Sequence, residues 1–156
     1  MLLLATPAVA GAWHAPRPTA KPEHSFRYRV VLRLQQGLRG TPLAPQAFRL
    51  ESEGWRWNIN PFLVALIAGT ESAFGSAACG GNAWGLGNCG FSFSSFGDGV
   101  RYATKLLRES YLNLGYATLD RVGARYAACG SCWAARTGWF MQARFGSPLT
   151  LTYPRE

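Results

Sequence analysis

The stretch "INPFLVALIAGTESAFGSAACGGNAWGLGN", residues 59–88, decides how the chain is read. Asn60-Pro61 opens an element, because an asparagine side chain caps a helix and proline is tolerated in its first turn. Residues 62–68 are then apolar nearly all round, which predicts a helix inside the core rather than along the surface. Glu71 stands at the C-terminal end of that run, in a chain with only eight acids against sixteen Lys and Arg. A carboxylate placed there is either costly or useful. Glycines and aromatics without period follow, read as a glycine-rich loop or small β excursion of the kind usually kept for function.

Downstream, Val100, Ala103, Leu107, Tyr111 and Leu114 recur at three- and four-residue spacing, with Asp98 near the start and Gly115 as the stop, which predicts a helix. "TLDRVGARYA" opens on Thr118 and predicts another, and "CWAARTGWFMQARFG" a last one ending before Gly146. Upstream, "QAFRLESEGWRWNI" reads as an amphipathic helix with a turn near Gly54. "FRYRVVLRL", residues 26–34, begins with apolar and arginine residues alternating as in a half-buried strand, but Val30 and Val31 slip the phase; a short strand and a helix stub both fit. The expected fold class is mainly α, with one glycine-rich excursion after the core helix. Residues 1–12 resemble a signal segment truncated at its front, with an A-x-A pattern at Ala8 and Ala10 but no basic n-region. Residues 13–39 read as a proline-rich linker carrying the short strand, 40–147 as the folded domain and 148–156 as a tail.

A formal charge of +8 calls for an anionic partner or environment, and nucleic acid, anionic lipid and anionic bacterial wall polymers all qualify. The basic residues are dispersed singly among apolar ones, which argues against a nucleic-acid partner. Nothing after the start approaches ~20 consecutive apolar residues, so no transmembrane segment is expected. Cys79, Cys89, Cys129 and Cys132 make an even count that suits export and allows three pairings, of which neighbour pairing is favoured. A four-cysteine zinc site fits less well, because the first pair lacks the usual knuckle spacing. "CGSC" has no β-α-β pattern around it to support a redox role. No metal or cofactor is expected.

Both histidines, His14 and His24, lie in the proline-rich opening, away from the folded middle. That leaves no imidazole there for a Ser-His-Asp or Cys-His catalyst. "GLGNCG" matches a dinucleotide fingerprint literally, but no strand leads in and no helix opens at its end. Carboxylate chemistry remains. From the core helix onward the acids before Glu156 are Glu71, Asp98, Glu109 and Asp120. Asp98 and Asp120 fall in first helical turns, where the macrodipole gives them a structural job, and Glu109 sits on a solvated face. Glu71 differs, since apolar residues precede it and Ala73 and Phe74 follow; desolvation would keep it protonated, as a general acid for glycosidic cleavage requires. The competing reading is a solvated or hydrogen-bonded glutamate at a helix end. Trp84, Phe91, Phe93 and Phe96, with Tyr126, Trp133 and Trp139, offer flat faces for pyranose rings, and Asn82 and Asn88 offer amides for sugar substituents. Trp84 and Tyr126 are the ones expected to line a cleft.

Four segments, "NPFLVALIAGTESAFG", "NAWGLGN", "FSSFGDGVRYATKLLRESYLNLGY" and "TLDRVGARYA" with the following Trp133, together resemble the bacterial glucosaminidase family of peptidoglycan hydrolases, related in fold to lysozymes and lytic transglycosylases. The resemblance covers about residues 40–146. It implies a secreted or envelope enzyme with a lysozyme-like, mostly helical domain that cuts glycan strands of the wall, with Glu71 matching the catalytic acid. Asn82, Trp84 and Gly85 match the family's segment beside the cleft, Tyr126 matches a tyrosine near the catalytic centre, and Ser72 and Trp133 complete the implied substrate-binding set. The usual alanine-proline after that tyrosine is replaced by "AACGSC", and no convincing second carboxylate can be placed. One acid leaves two routes open, hydrolysis assisted by the substrate's N-acetyl group and transglycosylation to an anhydro end. A non-catalytic wall-binding module of the same fold is the reading from another class.

Overall fold

The computed structural model describes residues 22–146 and 150–155. The signal-segment reading of 1–12 and the linker reading of 13–21 lie outside the described residues. Six α-helices follow in order: α1 (Pro22–Gly37), α2 (Ala47–Trp57), α3 (Pro61–Ser72), α4 (Phe96–Ser110), α5 (Leu119–Tyr126) and α6 (Gly130–Phe145). Single 3₁₀ turns stand at Ala44–Gln46 and Leu112–Leu114. The class is mainly α. Residues 73–95, between α3 and α4, run as turns and bends with one isolated antiparallel bridge, Cys79 to Asn82.

α3 is the central element. It packs against α2, α4 and α6, and each residue from Pro61 to Gly69 is buried. Asn60 caps it as its residue type dictates: the side-chain carbonyl accepts the Phe62 amide at 2.9 Å, satisfying one of the orphan donors of the first turn. Ala73 ends it in the left-handed region, its N–H returning to the Gly69 carbonyl at 3.1 Å. α4 starts at a Ser95 cap and α5 at the Thr118 cap, and Gly146 closes α6 at φ +59°. Leu114 falls outside α4, in the 3₁₀ turn, and is exposed.

Three expectations need correction. Residues 22–37 are helix rather than linker, and of the two readings of residues 26–34 the helix holds and the strand does not. Val30, Val31, Leu34 and Leu38 are buried together, a helical set, so the adjacent valines that broke the strand alternation are neighbours on one helix face. Gly54 makes no turn but lies inside α2, where a Cβ would stand 2.8 Å from the Ile59 carbonyl oxygen and 3.0 Å from Pro61. The glycine lets the chain fold back onto its own helix. Residues 150–155 are not a loose tail. Leu151 and Tyr153 are buried, and Asn60 holds this segment, its N–H donating to the Leu151 carbonyl at 3.0 Å and its Nδ2 to the Thr150 carbonyl at 2.7 Å.

α2 also hides two acids that its amphipathic pattern assigned to no special place. Glu51 accepts from Arg27 Nε and Nη2, at 2.6 and 3.0 Å, and from the Tyr153 hydroxyl at 2.8 Å, which ties α1, α2 and the C-terminal segment together. Burial first, then the bond to Glu51, push the Tyr153 phenol above its ordinary range, so it remains a donor. Glu53 lies between Arg49 and Arg101 at 3.7 and 3.5 Å. Arg108 of α4 donates to the Trp57 carbonyl at 2.7 Å and to the Asn58 carbonyl, closing the exposed end of α2.

Both disulfides join sequence neighbours, Cys79 with Cys89 and Cys129 with Cys132. Among the described residues no helix is long and apolar enough to cross a membrane.

Candidate active site

Glu71 is the last residue but one of α3, which ends at Ser72. Ser72 is buried and stitches that end in place. Its hydroxyl lies 2.7 Å from the Ala83 carbonyl and 3.0 Å from the Ala68 carbonyl, which share its one proton, and accepts the Gly75 amide at 3.0 Å. The irregular segment is thereby drawn back across the helix end. Gly85, at φ +64°, passes so close that an added Cβ would stand 2.6 Å from Glu71 Oε2. Only glycine meets both demands, the left-handed backbone and the missing side chain. Gly85→Ala is therefore expected to displace the carboxyl group and, if Glu71 is the catalytic acid, to lower the turnover by about a hundredfold, the usual penalty of an ångström-scale misplacement. Steady-state rates beside a melting curve separate that effect from unfolding.

The opposite wall comes from α5 and α6. Trp133 Nε1 donates to Glu71 Oε1 at 2.6 Å. The Tyr126 ring stacks on Trp133 at 5.0 Å with an interplanar angle of 26°. Tyr126 in turn donates its hydroxyl to the Trp84 carbonyl at 2.6 Å, joining α5 to the segment that carries Gly85. Behind Tyr126 stands Tyr111, with ring centroids 6.0 Å apart.

Glu71 is solvent-accessible as a residue, yet its carboxyl group is pressed between Gly85 and Trp133. Desolvation is the largest influence and raises its pKa above the ordinary carboxylate value; the Trp133 hydrogen bond and the positive charge of Arg136 pull the other way. The net shift is upward. Tyr126 is raised well above its usual range by burial, then by the Glu71 charge and Tyr111, so its phenol stays protonated and keeps donating.

The structure thus brings Glu71, Gly85, Tyr126 and Trp133 together. It does not place the side chains of Ser72, Asn82 and Trp84 in a cleft. Trp84 is fully buried, with Nε1 donating to the Val64 carbonyl at 2.9 Å, and only its backbone carbonyl reaches the site. Asn82 is buried with its amide occupied: Nδ2 donates to the Leu86 and Phe91 carbonyls at 2.8 and 3.0 Å, and Oδ1 accepts the Leu86 amide at 3.2 Å. All three residues shape the wall from behind. A hollow of about 700 Å³ along α1, lined by Leu32, Gln35, Gln36, Arg39, Gly40 and Ala44, offers no acid or nucleophile, so chemistry rather than size picks out Glu71.

No protein-family model matches the chain, and no curated protein matches it.

One contributor escaped the sequence reading. Arg136 lies three residues beyond Trp133 on α6, so the two share a face and Arg136 acts on the same carboxyl group. The i, i+3 spacing was the available signal, but it acquires meaning only once Trp133 is known to face Glu71. Because both groups favour the ionised carboxylate, Trp133→Phe and Arg136→Gln should each raise the Glu71 pKa further. A carbon-13 titration of the Glu71 carboxyl would show its midpoint moved to higher pH in either variant, and unchanged midpoints would remove both from its electrostatics.

Proposed function

We propose that this protein cleaves the β-1,4-linked glycan strand of peptidoglycan, most simply as an endo-β-N-acetylglucosaminidase on a lysozyme-like fold, with Glu71 as general acid. The observation that carries the reading is the state of Glu71: a carboxyl group at a helix end, open on one side, with a raised pKa and one oxygen anchored by Trp133. Such a group keeps its proton to a higher pH than a solvated carboxyl does and can pass it to a leaving oxygen. The Trp133 bond to Oε1 orients the carboxyl so that Oε2 carries the proton. The stacked Tyr126 and Trp133 rings give the adjoining wall an apolar face of the sort that suits a sugar ring.

In the forward step Glu71 donates its proton to the glycosidic oxygen as the C1–O bond breaks. The positive charge that develops at C1 is relieved by the substrate's own N-acetyl group, a recognised exception to the two-carboxylate scheme. Water then adds at C1 and its proton returns to Glu71. The charged neighbour acting on Glu71 is a cation, Arg136, which favours a route needing one carboxylate. A lytic transglycosylase, in which the muramic C6 hydroxyl replaces water, uses the same single acid and is the second reading; a muramidase is the third. Export to the envelope accords with two disulfides, and a charge of +8 would keep the protein near anionic wall polymers.

The test is mass spectrometry of purified peptidoglycan digested by wild type and by Glu71→Gln, after reduction of new chain ends. Reduced N-acetylglucosamine ends identify a glucosaminidase, reduced muramic ends a muramidase and 1,6-anhydro ends a transglycosylase. Wall binding without release of fragments by the wild type would sink the enzyme reading in favour of a binding module.

A further inference from the structure

Beyond Gly85 the irregular segment and α4 together present three rings that the Glu71 site does not use. Phe91, Phe93 and Tyr102 contact one another at centroid separations of 6.2, 5.6 and 5.4 Å, with interplanar tilts of 41–44°. Phe91 and Tyr102 are 45% and 41% exposed. Solvent-facing aromatic surface held in a cluster marks a contact site more often than a single exposed ring does.

The cluster is held firmly. The Cys79–Cys89 disulfide closes the loop just before Phe91, the Phe93 amide donates to the Gly80 carbonyl at 3.0 Å, and Tyr102 stands on α4. Buried Asn82 binds the Leu86 and Phe91 carbonyls with one amide group, coupling the turn beside Glu71 to the first ring. Gly85 abuts the Glu71 carboxyl, and a Cβ on Gly87 would touch Phe91 Cδ2 at 2.9 Å. Backbone dimensions then put the Phe91 ring edge within about 16 Å of that carboxyl, a reach of a few sugar rings.

Charge indicates the chemistry of the occupant. Residues 79–97 contain no charged side chain in a protein of net charge +8, while Asn88, Ser92 and Ser94 are exposed around the rings. An anionic polymer or lipid headgroup would find no cation in residues 79–97, and the two α4 cations nearest Tyr102 in sequence, Arg101 and Lys105, stand 3.5 and 3.8 Å from the Glu53 and Glu109 carboxylates. A neutral polyhydroxylated chain finds apolar faces flanked by hydroxyl and amide groups.

We propose that Phe91, Phe93 and Tyr102 form a platform for sugar rings of a glycan strand lying beyond those bound at Glu71. The proposal rests on the glycan-cleaving reading of Glu71 for its ligand class but makes its own prediction, that affinity depends on strand length through this loop. The Glu71 site by itself holds the nearest rings, and the platform adds contacts only for a strand long enough to reach it.

The experiment measures binding, so it needs no turnover. Glu71→Gln protein, with and without the added pair Phe91→Ser and Tyr102→Ser, is titrated with uncharged β-1,4-linked N-acetylglucosamine strands fractionated by length and with the disaccharide. The expected result is a loss of affinity of about tenfold or more for long strands, on the scale of an aromatic contact or two, and a far smaller change for the disaccharide. Trp139→Ser, which removes a 64% exposed ring elsewhere on α6, serves as the comparison and should leave the length dependence intact. Equal losses at all lengths, or none, overturn the platform. So does an unchanged strand affinity accompanied by lost binding to phosphatidylcholine vesicles, which would make the rings a lipid contact. A wild type that never cuts strands, combined with the length-dependent loss, overturns the catalytic reading and leaves the platform standing.

Discussion

Glu71→Gln should reduce glycan-strand cleavage by about a thousandfold while leaving strand binding in place, because removing a general acid commonly costs 10²- to 10⁴-fold. Glutamine keeps the shape and still accepts the Trp133 N–H, so the loss isolates the proton. A second readout comes from stability. The folded protein holds the Glu71 proton more tightly than the unfolded chain, whose carboxyl titrates near 4.5, so any stability from this group is present at low pH and is lost as pH rises through the raised folded value. Glu71→Gln should therefore be as stable as wild type below pH 4.5 and more stable at neutral pH. Paired denaturant titrations at the two pH values measure this. A variant equally stable at both would mean that the carboxyl is not desolvated, and the general-acid assignment would lose its physical basis.

Trp84→Ala should be the most damaging single change to the fold, at about 3–5 kcal/mol, the range for emptying a buried tryptophan site. Trp84 is fully buried, its indole packs where Gly99 of α4 leaves room, and its Nε1 donates to the Val64 carbonyl in the first half of α3. Truncation opens a cavity between the irregular segment and two helices. For a chain of this length the melting temperature should fall by on the order of 10 °C. Trp84→Phe retains most of the packing and loses only the donor, so its cost should lie nearer 1–3 kcal/mol. The Trp84 carbonyl also receives Tyr126, so a collapsing wall releases Tyr126 and, through ring stacking, Trp133. Calorimetric or urea unfolding of both variants is the check. A Trp84→Ala protein that melts like wild type would show that the segment is not anchored by this side chain.

Local chemistry was legible wherever a residue's neighbours in sequence are also its partners. The Asn60-Pro61 opening, the apolar α3, the Thr118 cap, the stop at Gly146 and the pairing of neighbouring cysteines depend on contacts within about ten residues. The position of Glu71 at the end of a buried helix was readable for the same reason. Where partners come from far along the chain, the pattern left the answer open or gave no sign of it. Alternation in residues 26–34 imitates a strand until α2 and α6 are present to bury Val30, Val31 and Leu34 on one helical face. Glu51 reads as one more surface acid until Arg27 and Tyr153, 24 and 102 residues away, meet it.

The same division runs through the candidate site. The sequence by itself determined a mainly helical chain, one acid placed against apolar neighbours, and an aromatic supply around it, because periodicity, capping and composition are local properties. Only the tertiary structure decided what each of those residues does. It buried Trp84 and Asn82 behind the wall and gave their polar groups to the backbone. It aimed Trp133 and the charge of Arg136 at a carboxyl 62 and 65 residues earlier, and left Phe91 and Tyr102 facing water. An aromatic side chain has the same apolar surface whether it fills a core or faces solvent, so its residue type cannot announce its place; the packing of distant helices assigns it.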